Sequence, residues 1–539
     1  MSFDRHTNVR RLGDEEFDVV VIGGGITGAG CALDAASRGL RTALVERDDF
    51  ASGTSSKSSK MVHGGLRYLQ QREIRLVYEA LRERRRLLRN APHLVRVVPH
   101  LIPMFGKGGV VPKSLSRAFG SALWLYDLTG GFRIGKMHKR ISRDEALAHA
   151  PTLDPERLVS GYLYYDCLAD DARLTLALAR TAALDHGAAV ANRTEVIGIG
   201  HGSDGRVTSV RVRTDGRELD IRTRGVISAT GVWVDDIAMF DEGHDPDATR
   251  PAKGIHLTIP HHLVGNDIAI SGLAVPADKR SMFVVPWGEL AYLGTTDTDY
   301  DGPLDDPQCT PEDVDYLLGG FNHWFTRKAT RADVVGTWAG LRPLVRNASS
   351  DRTADLSRRH SVTTSPSGVV TVTGGKLTTY REMAADAVDA AVATFPDRPR
   401  RLRRSRTARL RLRGAATGDH QDHLYARYGA EAAAVRQLIA DEPDLAHPLV
   451  PGLPYLRAEA VRAVREEMAT TVDDVLSRRT RSRLMARDAS AQAAAAVAAL
   501  IGPELGWTPG DEQAEVDAYR ASIEHERAAA DLPITEVVP

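Results

Sequence analysis

Residues Asp18 to Glu46, DVVVIGGGITGAGCALDAASRGLRTALVE, constrain what this chain can fold into more than any other stretch. They read as strand, tight turn, helix and strand. Asp18 to Ile22 is a short apolar run suited to a buried parallel strand, and it stops at Gly23-Gly24-Gly25, where residues without a Cβ turn cheaply. The spacing Gly23, Gly25, Gly28 fits G-x-G-x-x-G: one glycine for the turn, one for close approach of a pyrophosphate, one for helix-on-strand packing. Ala32 and Gly39 continue with small residues, and Thr42 to Val45 forms a second strand that delivers Glu46 to a ribose hydroxyl. An acid there favours a free 2′-hydroxyl over a 2′-phosphate. The motif by itself leaves NAD and FAD equally open.

A chain of 539 residues exceeds what one core organises, so two or three domains are expected. Lys plus Arg (70) nearly cancel Asp plus Glu (71), which gives no global field for nucleic acid. Cys31, Cys167 and Cys309 stand far apart without C-x-x-C, which suits a reducing cytoplasm, buried thiols and no cysteine-built metal site. The N-terminus MSFDRHTNVRRLGDEE has no apolar leader and no run approaches a bilayer-spanning length, so the chain is expected to be neither secreted nor integral.

After Glu46 and Arg47, a loop dense in donors runs from Ser52 to Ser59, with Gly64-Gly65 beyond it. It is either a flexible surface connection or a cofactor-lining loop. GGGITGAG followed by TSSKSSKMVHGGLRYLQ resembles the FAD-dependent sn-glycerol-3-phosphate dehydrogenases, the quinone-linked flavoenzymes within the glycine/D-amino-acid oxidase-like group. GLRPL, GGKLTTYR and YLRAEAVRAVREEMATTVDDVLSRRTR extend that resemblance over nearly the whole chain.

The stretch Ile74 to Asn90 has apolar residues at helical spacing with arginines on the other face, which reads as an amphipathic helix with a solvated side. From Val97 to Phe132 two apolar patches are punctuated by Pro, Gly and Lys113, and a core segment is favoured over a membrane-surface helix. A helix is expected from about Leu174 to His186, then strands near Ala189 to Ile199, Val207 to Thr214 and Leu219 to Arg222. Gly225 to Ser228 ends in Ala229-Thr230-Gly231, similar to the second FAD-contacting strand of two-dinucleotide-fold flavoproteins. Lys253 to Tyr300 reads as a second, β-rich sheet carrying His256, which is either structural or catalytic. Val369 to Thr373 is a strand, Gly374-Gly375 a turn, and Lys376 to Arg381 the opening of a helix whose N-terminus and lysine would favour negative charge on a flavin. Pro396 to Gly414 is arginine-rich and reads as a solvated linker. Helical patterns fill Asp419 to about Arg527, and the tail DLPITEVVP reads as disordered.

A flavoprotein fed by NAD(P)H would need a second Gly-rich fingerprint, and the chain has none, so one bound FAD with a diffusible acceptor is expected. The fold expected is α/β: a Rossmann-like FAD-binding domain of the two-dinucleotide-fold type, an antiparallel-sheet substrate domain and a C-terminal α-helical domain. In residues, 1–395 form the oxidoreductase, with FAD-binding parts at 15–90, 160–250 and 335–395 and substrate parts at 91–159 and 251–334. Residues 396–414 link it to helices at 415–530, and 531–539 form the tail.

The resemblance implies FAD contacts at Gly23, Gly24, Gly25, Ile26, Thr27, Gly28, Glu46, Arg47, Thr54, Ser55, Ser58, Ser59, Gly64, Gly65 and Leu66. It implies further ones at Ala229, Thr230, Gly231, Gly374, Gly375, Lys376, Leu377 and Thr378. It implies oxidation of sn-glycerol 3-phosphate to dihydroxyacetone phosphate by hydride transfer from C2 to flavin N5, the electrons leaving to a membrane quinone. Arg342 and Arg358 would bind the phosphate, with Arg67, Tyr68, His256 and Lys376 at the reacting end and His256 as the candidate base. No metal is expected. The chain is expected on the cytoplasmic face of the cell membrane, held near Leu115 to Leu128, and a homodimer is compatible with the family. An oxygen-using oxidase, an amino-acid oxidase-like enzyme and a non-catalytic flavin-binding regulator are the alternatives.

Overall fold

The structure, a computed structural model, describes residues 3–66, 73–106, 113–275, 278–346, 360–397 and 403–535, with side chains undescribed at 113–119 and 273–280. Arg67, Tyr68 and Arg358 lie outside the described residues.

Val19–Ile22 stands at the centre of a six-stranded sheet. Thr42–Val45 and Ala189–Ala191 flank it on one side in parallel, Val226–Ser228 and Val369–Gly374 on the other, and His360–Thr364 closes that edge antiparallel. Side chains alternate along the strand. Val19 and Val21 enter a core shared with the helices Ile26–Ser37, Asp171–His186 and Tyr380–Ala393, whereas Val20 and Ile22 enter one shared with Val210, Val212 and Ile221 of a four-stranded sheet. Burial on both faces explains why the strand reads as a continuous apolar run.

The second sheet is ten-stranded and mostly antiparallel, built around Thr249–Pro260, Leu290–Gly294, Asp278–Trp287, Ala269–Val275, Val95–Phe105 and Leu158–Ala169. Gly336–Val345, expected in the FAD-binding part, pairs along its length with Thr249–Pro260, and Leu158–Ala169 likewise pairs into this sheet, so the sheet takes in strands from both expected parts. The single strand expected from Ala189 to Ile199 is two, Ala189–Ala191 and Glu195–His201, in different sheets. An Asn-Arg-Thr corner, with Arg193 at φ +50°, carries the chain between them.

Three expectations about charged or apolar segments need correction. Ile74–Asn90 is a helix with the expected bounds, but Glu83 and Arg84 are buried in it, Arg84 on Asp166. The second apolar patch is a helix, Lys113–Thr129, that buries Leu123 and Tyr126 but exposes Trp124, Leu125 and Leu128, so it is only half a core segment. The arginine-rich segment is no free linker from 403 onward: Thr407 and Leu412 are buried, Leu412 N–H donates to Asn90 O at 2.9 Å, and Ser405 bonds Asp34. Its Arg403, Arg404, Arg406, Arg409 and Arg411 do face water.

The C-terminal helices, chiefly Arg457–Glu467, Arg487–Leu505 and Pro509–Ala529, enclose their own core around Val475, Val497, Ile501 and Tyr519. The amphipathic run from Ala458 to Leu484 divides into Arg457–Glu467, a π-helical turn at Asp474–Arg479 and Ser482–Met485. The tail is packed as far as Thr535, whose N–H and hydroxyl donate to Asp488 at 2.9 and 2.8 Å. All three cysteines are buried and free.

Candidate active site

The glycine turn sits where the central strand ends. Gly23 has φ +103°, a region closed to side-chain-bearing residues at low cost, and a Cβ on Gly28 would stand 1.8 Å from Gly23 O, so the helix and strand can approach only without one. Thus Gly24 and Gly28 act by packing, not by facing the cavity. From the next strand, the Glu46 carboxylate accepts from Gly24 N–H at 2.6 Å and Asp48 N–H at 2.8 Å. Burial raises its carboxyl to about 7, only partly offset by those two N–H groups.

A cavity of about 470 Å³ opens along this edge. Of the expected cofactor residues, Gly23, Gly25, Ile26, Thr27, Glu46, Arg47, Thr54, Ser55 and Ser58 line its first half. Ala229, Thr230, Gly231, Gly374, Gly375, Lys376 and Leu377 line the other. Ser59, Gly64, Gly65, Leu66 and Thr378 do not line it; Thr378 is buried and its hydroxyl accepts from His63 N–H at 3.1 Å. Thr194, Glu195, Trp233, Asp236, Met239 and Phe240 line the cavity and went unread. Trp233 was within reach, two residues past Ala-Thr-Gly, whereas Thr194 and Glu195 arrive only because the corner at Arg193 folds under Glu46.

Lys376 is not in the first turn of a helix. It is extended (φ −144°, ψ 153°) and caps a short 3-10 turn, Leu377–Thr379, ahead of Tyr380–Ala393. Its charge therefore avoids the unfavourable first turn while still lining the cavity.

The ten-stranded sheet meets this edge through Gly336–Val345. Pro343 lines the cavity, and Arg342 beside it donates to Asp297 Oδ1 at 3.1 Å, Thr295 Oγ1 at 3.2 Å and Thr296 O at 3.1 Å. On the paired strand, His256 is 2 % exposed and outside the cavity lining. Its ring stacks on Trp338 (4.7 Å, 7°), and its Nε2 shares a 2.9 Å hydrogen bond with Ser59 Oγ. Burial lowers its proton affinity well below that of a free imidazole, and the charges of Lys60 and Arg342 lower it further, so it is neutral at pH 7.

Residues 18–381 match the model of the family described as FAD dependent oxidoreductase, and 375–512 match that of the C-terminal domain of alpha-glycerophosphate oxidase. A protein named glycerol-3-phosphate dehydrogenase from Mycobacterium leprae is 42% identical over 96% of this chain and 89% of its own length. The chain belongs to the FAD-dependent glycerol-3-phosphate dehydrogenases. The mitochondrial glycerol-3-phosphate dehydrogenase of Homo sapiens is 37% identical over 95% of this chain and 74% of its own. Among solved structures, the glycerol-3-phosphate dehydrogenase from Bacillus halodurans complexed with FAD matches with TM-score 0.76 and 28% identity, covering 99% of both chains. FAD is the cofactor of this dehydrogenase, and its cavity fits one. Its lining includes a glycine turn at a helix N-terminus and the Glu46 carboxylate, able to accept from ribose hydroxyls.

Outside the site, Ile74, Tyr78, Trp124, Leu125, Leu128 and Phe132 expose apolar surface on three adjoining elements, and Met137 is exposed in the segment that follows. Lys136, Lys139 and Arg140 lie exposed beside them. No described helix is long and apolar enough to cross a membrane.

Proposed function

We propose that this dehydrogenase oxidises sn-glycerol 3-phosphate at C2 to dihydroxyacetone phosphate and passes the two electrons to a quinone at a membrane surface. The observation that carries the reading is the strand pair that sets neutral His256 and cationic Arg342 beside the Pro343 and Lys376 end of the FAD cavity. Bound FAD would supply the acceptor for the C2 hydride at its N5. The chain does the rest.

His256 takes the C2 hydroxyl proton as the hydride leaves, a role open to an imidazole that is uncharged at pH 7. Its Nδ1 has no hydrogen-bond partner among the described residues, while Ser59 fixes the other nitrogen. Arg342 offers the phosphate a guanidinium already oriented by Asp297, Thr295 and Thr296, so less side-chain freedom is lost on binding. Arg67, Tyr68 and Arg358, outside the described residues, are assigned to the substrate by the resemblance to the family. Lys376, in the cavity lining, would supply positive potential to the cofactor as it gains negative charge.

The exposed apolar patch with its cationic rim supports attachment to an anionic bilayer, which brings the quinone within reach without a spanning helix. The match to the C-terminal domain of an alpha-glycerophosphate oxidase keeps oxygen as the second acceptor to test. Anaerobic mixing with glycerol 3-phosphate should bleach the flavin, whereas glycerol or a D-amino acid should not. A soluble quinone analogue should then restore the colour faster than oxygen. Co-sedimentation with anionic liposomes should weaken at high salt. Rapid peroxide formation with no quinone reduction and no liposome binding would replace the dehydrogenase reading by a soluble oxidase.

A further inference from the structure

The segment 56–60 has the C-terminal helices on one side and the candidate base on the other. Lys60 adopts a left-handed backbone, φ +56°, which a lysine holds only where its surroundings insist on it. Its ammonium is buried: it donates to Asp171 Oδ1 and to Ser56 O, both at 3.1 Å, and stands 4.9 Å from the centroid of the Trp338 ring. That is the indole on which His256 stacks. The neighbours of Lys60 are fixed in the same way. Ser58 N–H and hydroxyl donate to Asp171 Oδ2 at 3.1 and 2.7 Å, Ser58 O accepts from Trp338 Nε1 at 3.2 Å, and Ser59 O accepts from Tyr292 at 3.1 Å.

Asp171 is fully buried and serves two cations. Besides Lys60 it takes Arg481, which comes from the C-terminal helical domain, is 1 % exposed and also pairs with Asp170 at 2.9 Å. A contact chain therefore runs from Arg481 through Asp171 to Lys60 and the Ser58-Ser59 turn, and ends on His256.

We propose that Lys60, clamped by Asp171 and by Arg481 of the C-terminal domain, is a positioning residue for His256: it fixes the turn whose Ser59 hydroxyl orients the imidazole, and holds a cation over the same indole. The C-terminal helices are then part of the active-site apparatus. The inference rests on His256 acting as the base.

The electrostatics agree in sign. The charged groups facing His256 are Lys60 from the 56–60 segment and Arg342 from Gly336–Val345, both cationic, and its other neighbours are Trp338, Phe283 and the Ser59 hydroxyl. Lys60 faces Arg481, Asp171 and Asp170. Burial, with Arg481 beside it, draws its ammonium down to about 8 against the pull of the two carboxylates, so it is charged over the range in which the base must stay neutral.

The test is the pH profile of kcat/KM for glycerol 3-phosphate in the FAD-loaded enzyme, using 2-deuterated substrate to make C–H cleavage visible. Lys60→Met removes the cation but keeps the stem. Its acid limb should move up by about one pH unit, the scale of one nearby charge, with KM little changed. Lys60→Arg should return the limb to its wild-type position. Ser59→Ala, which disturbs packing least, should lower kcat about tenfold at every pH with KM unchanged. Unchanged profiles in Lys60→Met and unchanged kcat in Ser59→Ala would overturn the inference. His256→Gln separates the two claims: if that variant stays active, the base assignment itself fails, whereas its inactivity beside an unaltered Lys60→Met sinks only the positioning role.

Discussion

Glu46 in the nucleotide cradle and Glu459 at the seam of the C-terminal domain are the same residue type in opposite states. Two backbone N–H groups, and no cation among the described residues, hold Glu46, and burial lifts it to about 7. Burial works on Glu459 too, but Arg427 at 2.7 Å and His423 at 2.6 Å outweigh it and hold that carboxyl at about 2. The seam continues in this style through Arg173 on Glu467, Arg479 on Asp49 and Arg481 on Asp171. The cradle is built of backbone and small residues and leaves its acid short of donors until a ribose supplies them. The seam satisfies its own charges: Glu459 by Arg427 and His423 of the same domain, Glu467, Asp49 and Asp171 by arginines hundreds of residues away in sequence.

The seam should break hardest. Arg479→Leu leaves Asp49 buried with one of its two arginines, and unfolding experiments should register a loss of about 3–5 kcal/mol, the scale for breaking a buried pair. A loss under about 1 kcal/mol would mean that the seam is not held by its pairs.

Acid should act on the same region. The Glu459 carboxyl binds protons more weakly folded than unfolded, so its contribution is complete above the unfolded value of about 4.3 and is lost as pH falls toward 2. That difference is worth about 3 kcal/mol, and hydrogen exchange across pH 5 to 2.5 should show the C-terminal helices opening before the six-stranded sheet.

At the substrate end, Arg342→Ala should cost roughly 3 kcal/mol in kcat/KM for glycerol 3-phosphate, the upper range for losing a charged donor. FAD content should not change. Wild-type efficiency in that variant would remove Arg342 from phosphate recognition.

In the cradle, Gly25→Val places a side chain against Ser55 Oγ, which lies 3.1 Å from the nearest Cβ position, and into the cofactor's path. FAD affinity should drop at least about 100-fold, about 2.7 kcal/mol, with little change in apo-protein melting. A folded variant still fully yellow would show that the pyrophosphate lies elsewhere. Smallest is Glu46→Gln: flavin titration should show about tenfold weaker FAD. The apo protein should melt slightly higher than wild type at pH 8, because a carboxyl raised to about 7 is destabilising when ionised.

Legibility in the sequence followed the range of the interactions. Thr42–Val45, Ile74–Asn90 and Val207–Thr214 were readable to the residue, because periodicity and turn chemistry are local. The arginines misled. Arg84 reads as part of a solvated face yet is buried, and Arg462, Arg479, Arg481 and Arg487 are buried as well, since a guanidinium is interred once folding delivers a carboxylate to it. The same holds in the site. Glycines, Glu46 and Lys376 were visible in motifs, while Trp233, Thr194 and the Lys60 clamp depend on corners and contacts from other domains.

By itself the sequence determined the dinucleotide turn, because close backbone approach and strand-helix alternation are written in consecutive positions, and its motifs carried the resemblance that implied FAD, the family and the candidate residues. Only the tertiary structure decided that His256 is buried and neutral, that Lys376 precedes its helix, and that Arg481 reaches the active-site turn. The physical reason is that desolvation and charge pairing belong to pairs of groups brought together in space, and Arg481 meets Asp171 across a separation of 310 residues.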